Sequence, residues 1–112
     1  MINITIVKIK QNITTIEATG HSGYAEAGAD IVCASISTLL QSLVNGLIEV
    51  VKIQPTFIID ESVPHLSVTL PKNLNESTME KCQVLMRSTY LGVKGVADGY
   101  QKFIKIKEKQ HD

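Results

Sequence analysis

Two residues capable of nucleophilic chemistry, His21 and Cys33, bracket a glycine-rich stretch in GHSGYAEAGADIVCASIS, residues 20–37. Asp30 is a good N-cap residue, and it directly precedes a run of apolar residues at helical spacing that begins at Ile31. Cys33 is therefore expected in the first turn of that helix, where the positive end of the helix dipole stabilises a thiolate. A neutral imidazole at His21 could accept the thiol proton and later protonate a leaving amine. The pattern predicts a thiolate nucleophile and its base.

The segment from Gly20 to Cys33 has the composition of a loop that changes direction. Gly20, Gly23 and Gly28 can adopt positive φ angles that other residues avoid. Such a backbone would let the segment fold back and bring His21 to Cys33, twelve positions further along the chain. We expect a lid that admits a peptide and excludes water when it closes.

Other interpretations of the same residues stay open at this point. A cysteine such as Cys33 is often a small buried core residue, and a lone loop histidine such as His21 is often solvated. Ser35 and Ser37 suggest a serine nucleophile, but the chain lacks a G-x-S-x-G elbow, and mid-helix serines usually face solvent or bond a nearby carbonyl. A phosphate loop would end in Gly-Lys-Ser/Thr, whereas Asp30 would repel phosphate.

Length and charge limit the function classes. A chain of 112 residues predicts one domain, residues 1–112, without room for a separate cofactor domain. Lys plus Arg and Asp plus Glu number 11 each, so no overall basic field attracts nucleic acid or an anionic membrane. We expect no membrane partner and no direct nucleic-acid partner. The lysines near the C-terminus favour a solvated end over a ribosome-facing patch.

The cysteines and histidines indicate a compartment and the absence of a cofactor. Cys33 and Cys82 fall in different predicted elements, and we expect no signal peptide, so the sequence favours the cytoplasm and disfavours a disulfide. Their spacing relative to His21, His65 and His111 fits no zinc motif, so we expect no metal and no cofactor. Helical spacing from neighbouring apolar residues predicts that Cys82 lies in the core, whereas His65 and His111 are expected to be exposed.

Periodicity and turn residues predict an α+β fold. Asn73 and Glu76 fit a capping box, whereas three glycines at 92, 95 and 99 weaken the later half of the second helix unless a neighbour packs closely there. We expect two layers, with two long helices packed on one face of a mainly antiparallel sheet. The predicted order is β-β-α-β-β-α with a short C-terminal edge strand, at residues 2–10, 13–19, 30–51, 56–60, 65–70, from about 75, and 103–107.

The Gly20-His21 pair and the DIVCAS-S motif from Asp30 to Ser37 resemble the ribosomal-processing cysteine protease family, Prp, over essentially the full chain. The resemblance implies a catalytic dyad of His21 and Cys33. It also implies that the protein removes a short N-terminal extension from a large-subunit ribosomal protein, cutting after an aromatic residue, and that it forms a homodimer. The family's motif aspartate falls on Asp30. The match leaves three roles open for it: helix cap, substrate contact or orienter of His21.

The remaining motif residues, Gly20, Gly23, Gly28 and Ser37, are candidate supporting or substrate-binding residues. The alternative function is a non-catalytic, dimeric, ribosome-associated binding module in which the dyad positions are merely structural. For the protease, we expect an extended substrate at a sheet edge, a hydrophobic pocket for the aromatic residue, and oxyanion donors among the backbone N–H groups of the loop or first helical turn.

Overall fold

The computed structural model describes residues 1–21, 23, 25, 30–60 and 65–111. Its elements follow the predicted order, and the C-terminal strand is longer than expected. Gly28 lies outside the described residues. The elements are β1 (Ile2–Ile9), β2 (Asn12–Thr19), α1 (Ile31–Gly46) with a terminal π-helical turn (Leu47–Val51), β3 (Thr56–Asp60), β4 (His65–Thr69), α2 (Glu76–Gly99) and β5 (Ile104–His111).

The five strands form one sheet in the order β3-β4-β2-β1-β5. All neighbours are antiparallel except β1 and β5, which run parallel. Because side chains alternate between the faces of a strand, Ile2, Ile4 and Ile6 of β1 all lie on the buried face. Both helices cover this face, so the α+β, two-layer prediction is confirmed.

The first helix, α1, supplies much of the core. Its buried residues recur every three or four positions, as an amphipathic helix on a sheet requires: Val32, Ile36, Leu40, Leu43 and Val44. The helix continues into the π-helical turn and stops at Lys52, which has a φ of 68°. By length and composition the segment Ile31–Val51 could also cross a membrane. In this fold, however, its apolar side packs on the sheet, as a core helix does.

The second helix, α2, begins at Glu76, close to the start expected near residue 75, but its cap is not the residue that the capping box indicated. The N-cap is Asn75, whose Oδ1 accepts a hydrogen bond from the Thr78 N–H at 2.8 Å. The capping box at Asn73 is wrong, because Asn73 has a φ of 62° and an N-cap residue needs an extended backbone. The helix then continues unbroken through its glycines to Gly99.

Only one of the α2 glycines meets the close neighbour that the sequence led us to expect. A Cβ at Gly92 would lie 3.0 Å from Cδ2 of Leu39 on α1, so the missing side chain lets the helices approach. Among the described residues, nothing lies within 4 Å of a Cβ at Gly95 or Gly99.

A buried glutamine fixes α2 to the sheet. Gln83 accepts a hydrogen bond from the Ile13 N–H at 2.8 Å and donates one to the Ile13 carbonyl at 2.9 Å. The pairing register of β1 and β2 shifts next to Ile13, between Val7 and Lys8 on the opposite strand. The side chain of Gln83 therefore satisfies two buried backbone groups that would otherwise be costly to desolvate.

Candidate active site

A cavity of about 560 Å³ lies between the start of α1 and the ends of the central strands. Its apolar wall comes from three strands and from α1. Its polar groups come from the chain that follows β2, from the first turns of the helix and from the facing ends of β3 and β4. The described residues that line it are Ile2, Ala18, Gly20, His21, Gly23, Ala25, Asp30, Cys33, Ala34, Ile36, Ser37, Asp60, His65 and Leu66.

The cavity brings together the residues that the sequence singled out. His21 and Cys33, twelve positions apart, line the same space. The other described candidates line it too: Gly20, Gly23, Asp30 and Ser37. Gly28 lies outside the described residues. Ala18, next to the last residue of β2, and Cys33 and Ile36 in the first turns of α1 line the same cavity, so the end of β2 and the start of α1 lie on either side of it.

Asp30 caps α1, as its type and position predicted. Its Oδ1 accepts hydrogen bonds from the N–H groups of Val32 and Cys33, each at 3.0 Å. Its main-chain oxygen accepts a third bond, from the Ala34 N–H, also at 3.0 Å. Asp30 is buried, so these bonds hold the start of the helix firmly and place Cys33 as the third helical residue.

The same cap changes the electrostatics that the sequence suggested. The positive end of a helix dipole favours an anion, and the sequence assigned that benefit to the Cys33 sulfur. A carboxylate at Asp30 already occupies this end of the helix and bonds the Cys33 N–H. Its negative charge offsets part of the dipole, so stabilisation of a thiolate depends more heavily on a cation from elsewhere in the cavity.

The two cysteines are both free thiols, but their surroundings differ. Cys33 is half-buried and faces the cavity, while part of it packs against the core. Cys82 is completely buried between α2 and the sheet, as its helical spacing predicted. Burial raises the pKa of the Cys82 thiol, because a thiolate there would lose its hydration. Of the two, Cys33 alone is placed to meet a substrate.

The serines on α1 also separate into two environments. Ser35 donates a hydrogen bond to the Ile31 carbonyl at 2.7 Å, the pairing often seen for mid-helix serines. Ser37 lines the cavity one turn after Cys33, and its hydroxyl oxygen accepts a bond from Nε2 of Gln41 at 2.9 Å. Ser37 therefore presents a polar group to whatever occupies the cavity.

Gly20 sets the path of the chain into the cavity. It follows the last residue of β2 and has a φ of 90°, in the region that favours glycine. A Cβ at this position would lie 2.5 Å from the main-chain oxygen of Met1. Only glycine combines this turn with this close approach, so Gly20 helps to direct His21 towards the cavity.

Sequence reasoning missed the opposite wall of the cavity, where Asp60, His65 and Leu66 lie. His65 is half-buried, so the expectation that it is exposed was wrong. Its Nε2 lies 2.8 Å from Oε2 of Glu17 on β2. Residues 60 and 65 are directly paired in the β3–β4 hairpin, and only the sheet order places that hairpin end beside α1. Among the described lining residues, the charged side chains are carboxylates and neither lysine nor arginine occurs.

The chain also resembles several known proteins. It is 26% identical over 96 residues to the ribosomal processing cysteine protease Prp of Bacillus subtilis, and the matched residues make up 86% of each chain. It is 24% identical to the protein of that name from Staphylococcus aureus, over 97% of this chain and all of the relative.

Solved structures share the fold. The structure of SMU.848 from Streptococcus mutans matches with a TM-score of 0.85 at 33% identity, over 99% of this chain and 96% of that one. The structure of an essential ribosomal processing protease Prp from S. aureus, in complex with a covalently linked product peptide, also matches with a TM-score of 0.85. Its identity is 24%, over 97% of this chain and 100% of that one. The model of the family described as cysteine protease Prp matches residues 1–105, and the chain therefore belongs to that family of cysteine proteases.

Proposed function

We propose that this protein is a cysteine endopeptidase that removes a short N-terminal extension from a large-subunit ribosomal protein. The observation that carries the proposal is that His21 and Cys33 line one cavity, which also has an apolar wall of Ile2, Ala18 and Leu66. A thiol and an imidazole at one surface are the minimal equipment of a cysteine peptidase. The apolar wall suits the aromatic residue after which relatives of this family are expected to cut.

In the proposed mechanism, the Cys33 sulfur gives its proton to His21 and attacks the scissile carbonyl carbon as a thiolate. The carbon–nitrogen bond then breaks, and the imidazolium of His21 donates its proton to the departing amine. Water hydrolyses the resulting thioester with His21 as the base, which returns the thiol. Because Asp30 brings negative charge to the start of α1, the imidazolium is the main partner that stabilises the thiolate.

Asp30 acts in this proposal by holding the first turn of α1 in place. Its hydrogen bonds occupy the N–H groups of Val32, Cys33 and Ala34. These groups are therefore not available to the developing oxyanion while the cap is intact. We infer that the oxyanion donors come from the loop before the helix or from Ile31, and that Ser37 contacts the substrate.

The rival function is a non-catalytic, dimeric, ribosome-associated binding module. In either case we propose a homodimer in the cytoplasm, whose partner is the N-terminal extension of the ribosomal protein. The two functions differ in one respect, since only the protease breaks a peptide bond.

A cleavage assay separates the two functions. The purified protein is incubated with a synthetic peptide of about twelve residues that spans the extension junction, long enough to bind in extended form. Mass spectrometry identifies the products. We expect wild type to cut at one bond and the His21→Ala variant to lose about 10²–10⁴-fold in rate, the usual contribution of a general acid–base.

His65→Ala is the matched control, because His65 is the other histidine that lines the cavity. It should retain activity within a few-fold. Binding of the peptide by wild type with no product would support the rival module. An equal loss in the two histidine variants would remove the special role of His21.

A further inference from the structure

On the side of the sheet that packs against the helices, one patch is left uncovered by α1 and α2 as far as the described residues show. Phe57 and Ile59 of β3 pair directly with Val68 and Leu66 of β4, so they point to the side of the sheet on which the helices pack. Yet Phe57 is 40% and Ile59 is 43% exposed. We call these two residues the β3 shelf.

The exposure of the shelf follows from the position of β3. In the neighbouring strands the corresponding side chains, such as Ile16 and Val68, are buried beneath the helices. Between the helices and the strands, substantial contacts join α1 to β4 and α2 to β2 and β5. β3 is the end strand of the sheet, and it extends beyond the area that the helices cover.

The shelf is continuous with the cavity that holds Cys33. Ile59 pairs with Leu66, which lines the cavity, and Leu66 in turn pairs with Ala18, which also lines it. An apolar surface therefore runs from the cavity across three strands to the edge of the sheet. A substrate that enters the cavity from this side must pass over the shelf.

The shelf fits an extended peptide. Its two side chains are two residues apart on one strand, which separates them by about 6.6 Å, and alternate side chains of an extended peptide have the same spacing. The outer side of β3 is an edge of the sheet, so its backbone groups can pair with a peptide strand. Within Thr56–Asp60 the charged residue is Asp60, at the cavity end, so the rest of the strand suits an uncharged apolar segment.

We propose that the β3 shelf is a specificity subsite that binds apolar side chains of an extended peptide substrate leading away from the scissile bond. This inference rests on the proposed peptidase function. It names the substrate class more closely: a peptide with large apolar residues at alternate positions beside the bond that is cut. Phe57 and Ile59 bind and select the peptide and take no part in bond breaking.

The chain offers a closely matched pair of variants for the test. Ile58 and Ile59 are adjacent on β3 and equally exposed, at 43%, but they point to opposite faces of the sheet. Ile59→Thr removes apolar surface from the shelf, and Ile58→Thr makes the same change on the other face. Threonine suits a strand, and both sites are exposed, so both variants should fold.

Two measurements keep the subsite separate from the chemistry. In a Cys33→Ala background, fluorescence anisotropy gives the Kd for a labelled peptide that spans the extension junction. In the active enzyme, the same peptide gives kcat and KM. We expect Ile59→Thr to weaken binding and to raise KM by about tenfold, from the lost burial of part of an isoleucine, with kcat nearly unchanged. Ile58→Thr should match wild type.

The outcomes are distinct. Wild-type cleavage with equal Kd values for the two variants would overturn the subsite and leave the peptidase intact. Binding that depends on Ile59 without any cleavage would support the subsite and defeat the proposed catalysis. Sedimentation of each variant tests whether a second copy of the chain, and not the peptide, binds the shelf. A changed oligomeric state with an unchanged Kd would make the shelf an interface between copies and overturn the proposal.

Discussion

The starts of α1 and α2 use the same local device for different ends. Asp30 accepts a hydrogen bond from the N–H of Cys33, and Asn75 accepts one from the N–H of Thr78. In each case the bonded residue is the third of its helix. Asp30 is buried beside a cavity, however, whereas Asn75 is exposed. A cap of the same geometry supports a candidate site at one helix and only a helix end at the other.

The two cysteines extend the comparison. Each helix carries one, but Cys33 lies at the cavity near the start of α1, and Cys82 is sealed between α2 and the sheet. Burial raises the pKa of Cys82 and keeps it a neutral, inert thiol. The comparison teaches that residue type alone does not identify a candidate nucleophile, because the packing around a cysteine decides whether a substrate can reach it.

The largest expected effect comes from replacing the cysteines one at a time. Cys33→Ala should lower cleavage of the junction peptide by at least about 10⁴-fold, as the loss of a catalytic nucleophile does. Cys82→Ala should keep kcat and lose only about 1–2 kcal/mol of unfolding free energy from a buried side chain. Cleavage kinetics and urea unfolding provide the two measurements. Substantial cleavage by Cys33→Ala would reverse the assignment.

A second contrast concerns the buried polar group of α2. Gln83→Leu leaves the N–H and carbonyl of Ile13 without their side-chain partner, so we expect a loss of about 2–4 kcal/mol in unfolding free energy. Val84→Ala, at the neighbouring exposed position, should change it by less than about 0.5 kcal/mol. Urea denaturation compares the two. Equal midpoints would mean that Gln83 does not fix α2 to the sheet.

The two caps give a smaller and more discriminating effect. Asp30→Ala and Asn75→Ala should each cost about 1 kcal/mol of unfolding free energy, since each removes the side-chain acceptor from a helix start. Only Asp30→Ala should also lower kcat/KM, because it loosens the turn that holds Cys33. Thermal unfolding and peptide kinetics, measured on the same samples, test this. A matching kinetic loss in Asn75→Ala would show that general destabilisation is responsible.

The smallest effect is a pH dependence that arises from Cys82. The pKa of this thiol is higher in the folded protein than in the unfolded chain, so the folded state holds its proton more tightly. The resulting stabilisation is complete below the unfolded pKa and is lost as pH rises through the folded one. Cys82→Ala should therefore lose less stability than wild type between neutral and alkaline pH. Parallel slopes in urea unfolding would contradict this.

Local sequence signals predicted most of the elements, because their causes lie close together in the chain. Asp30 stands before an apolar helical run, and alternating isoleucines mark the strands. The error over which residue caps α2 has a local cause too. Asn73 and Asn75 are both acceptable caps, and only the left-handed backbone at Asn73 decides between them.

The sequence by itself determined the order of strands and helices, the capped start of α1 and the pairing of His21 with Cys33 as candidates, since periodicity, capping and motif are short-range properties. Only the tertiary structure decided what lies opposite them. Sheet order, set by long-range pairing and burial, brought His65 and Leu66 to the cavity and left Phe57 and Ile59 beyond the cover of the helices. Those contacts join residues that are distant in sequence, and no local pattern encodes them.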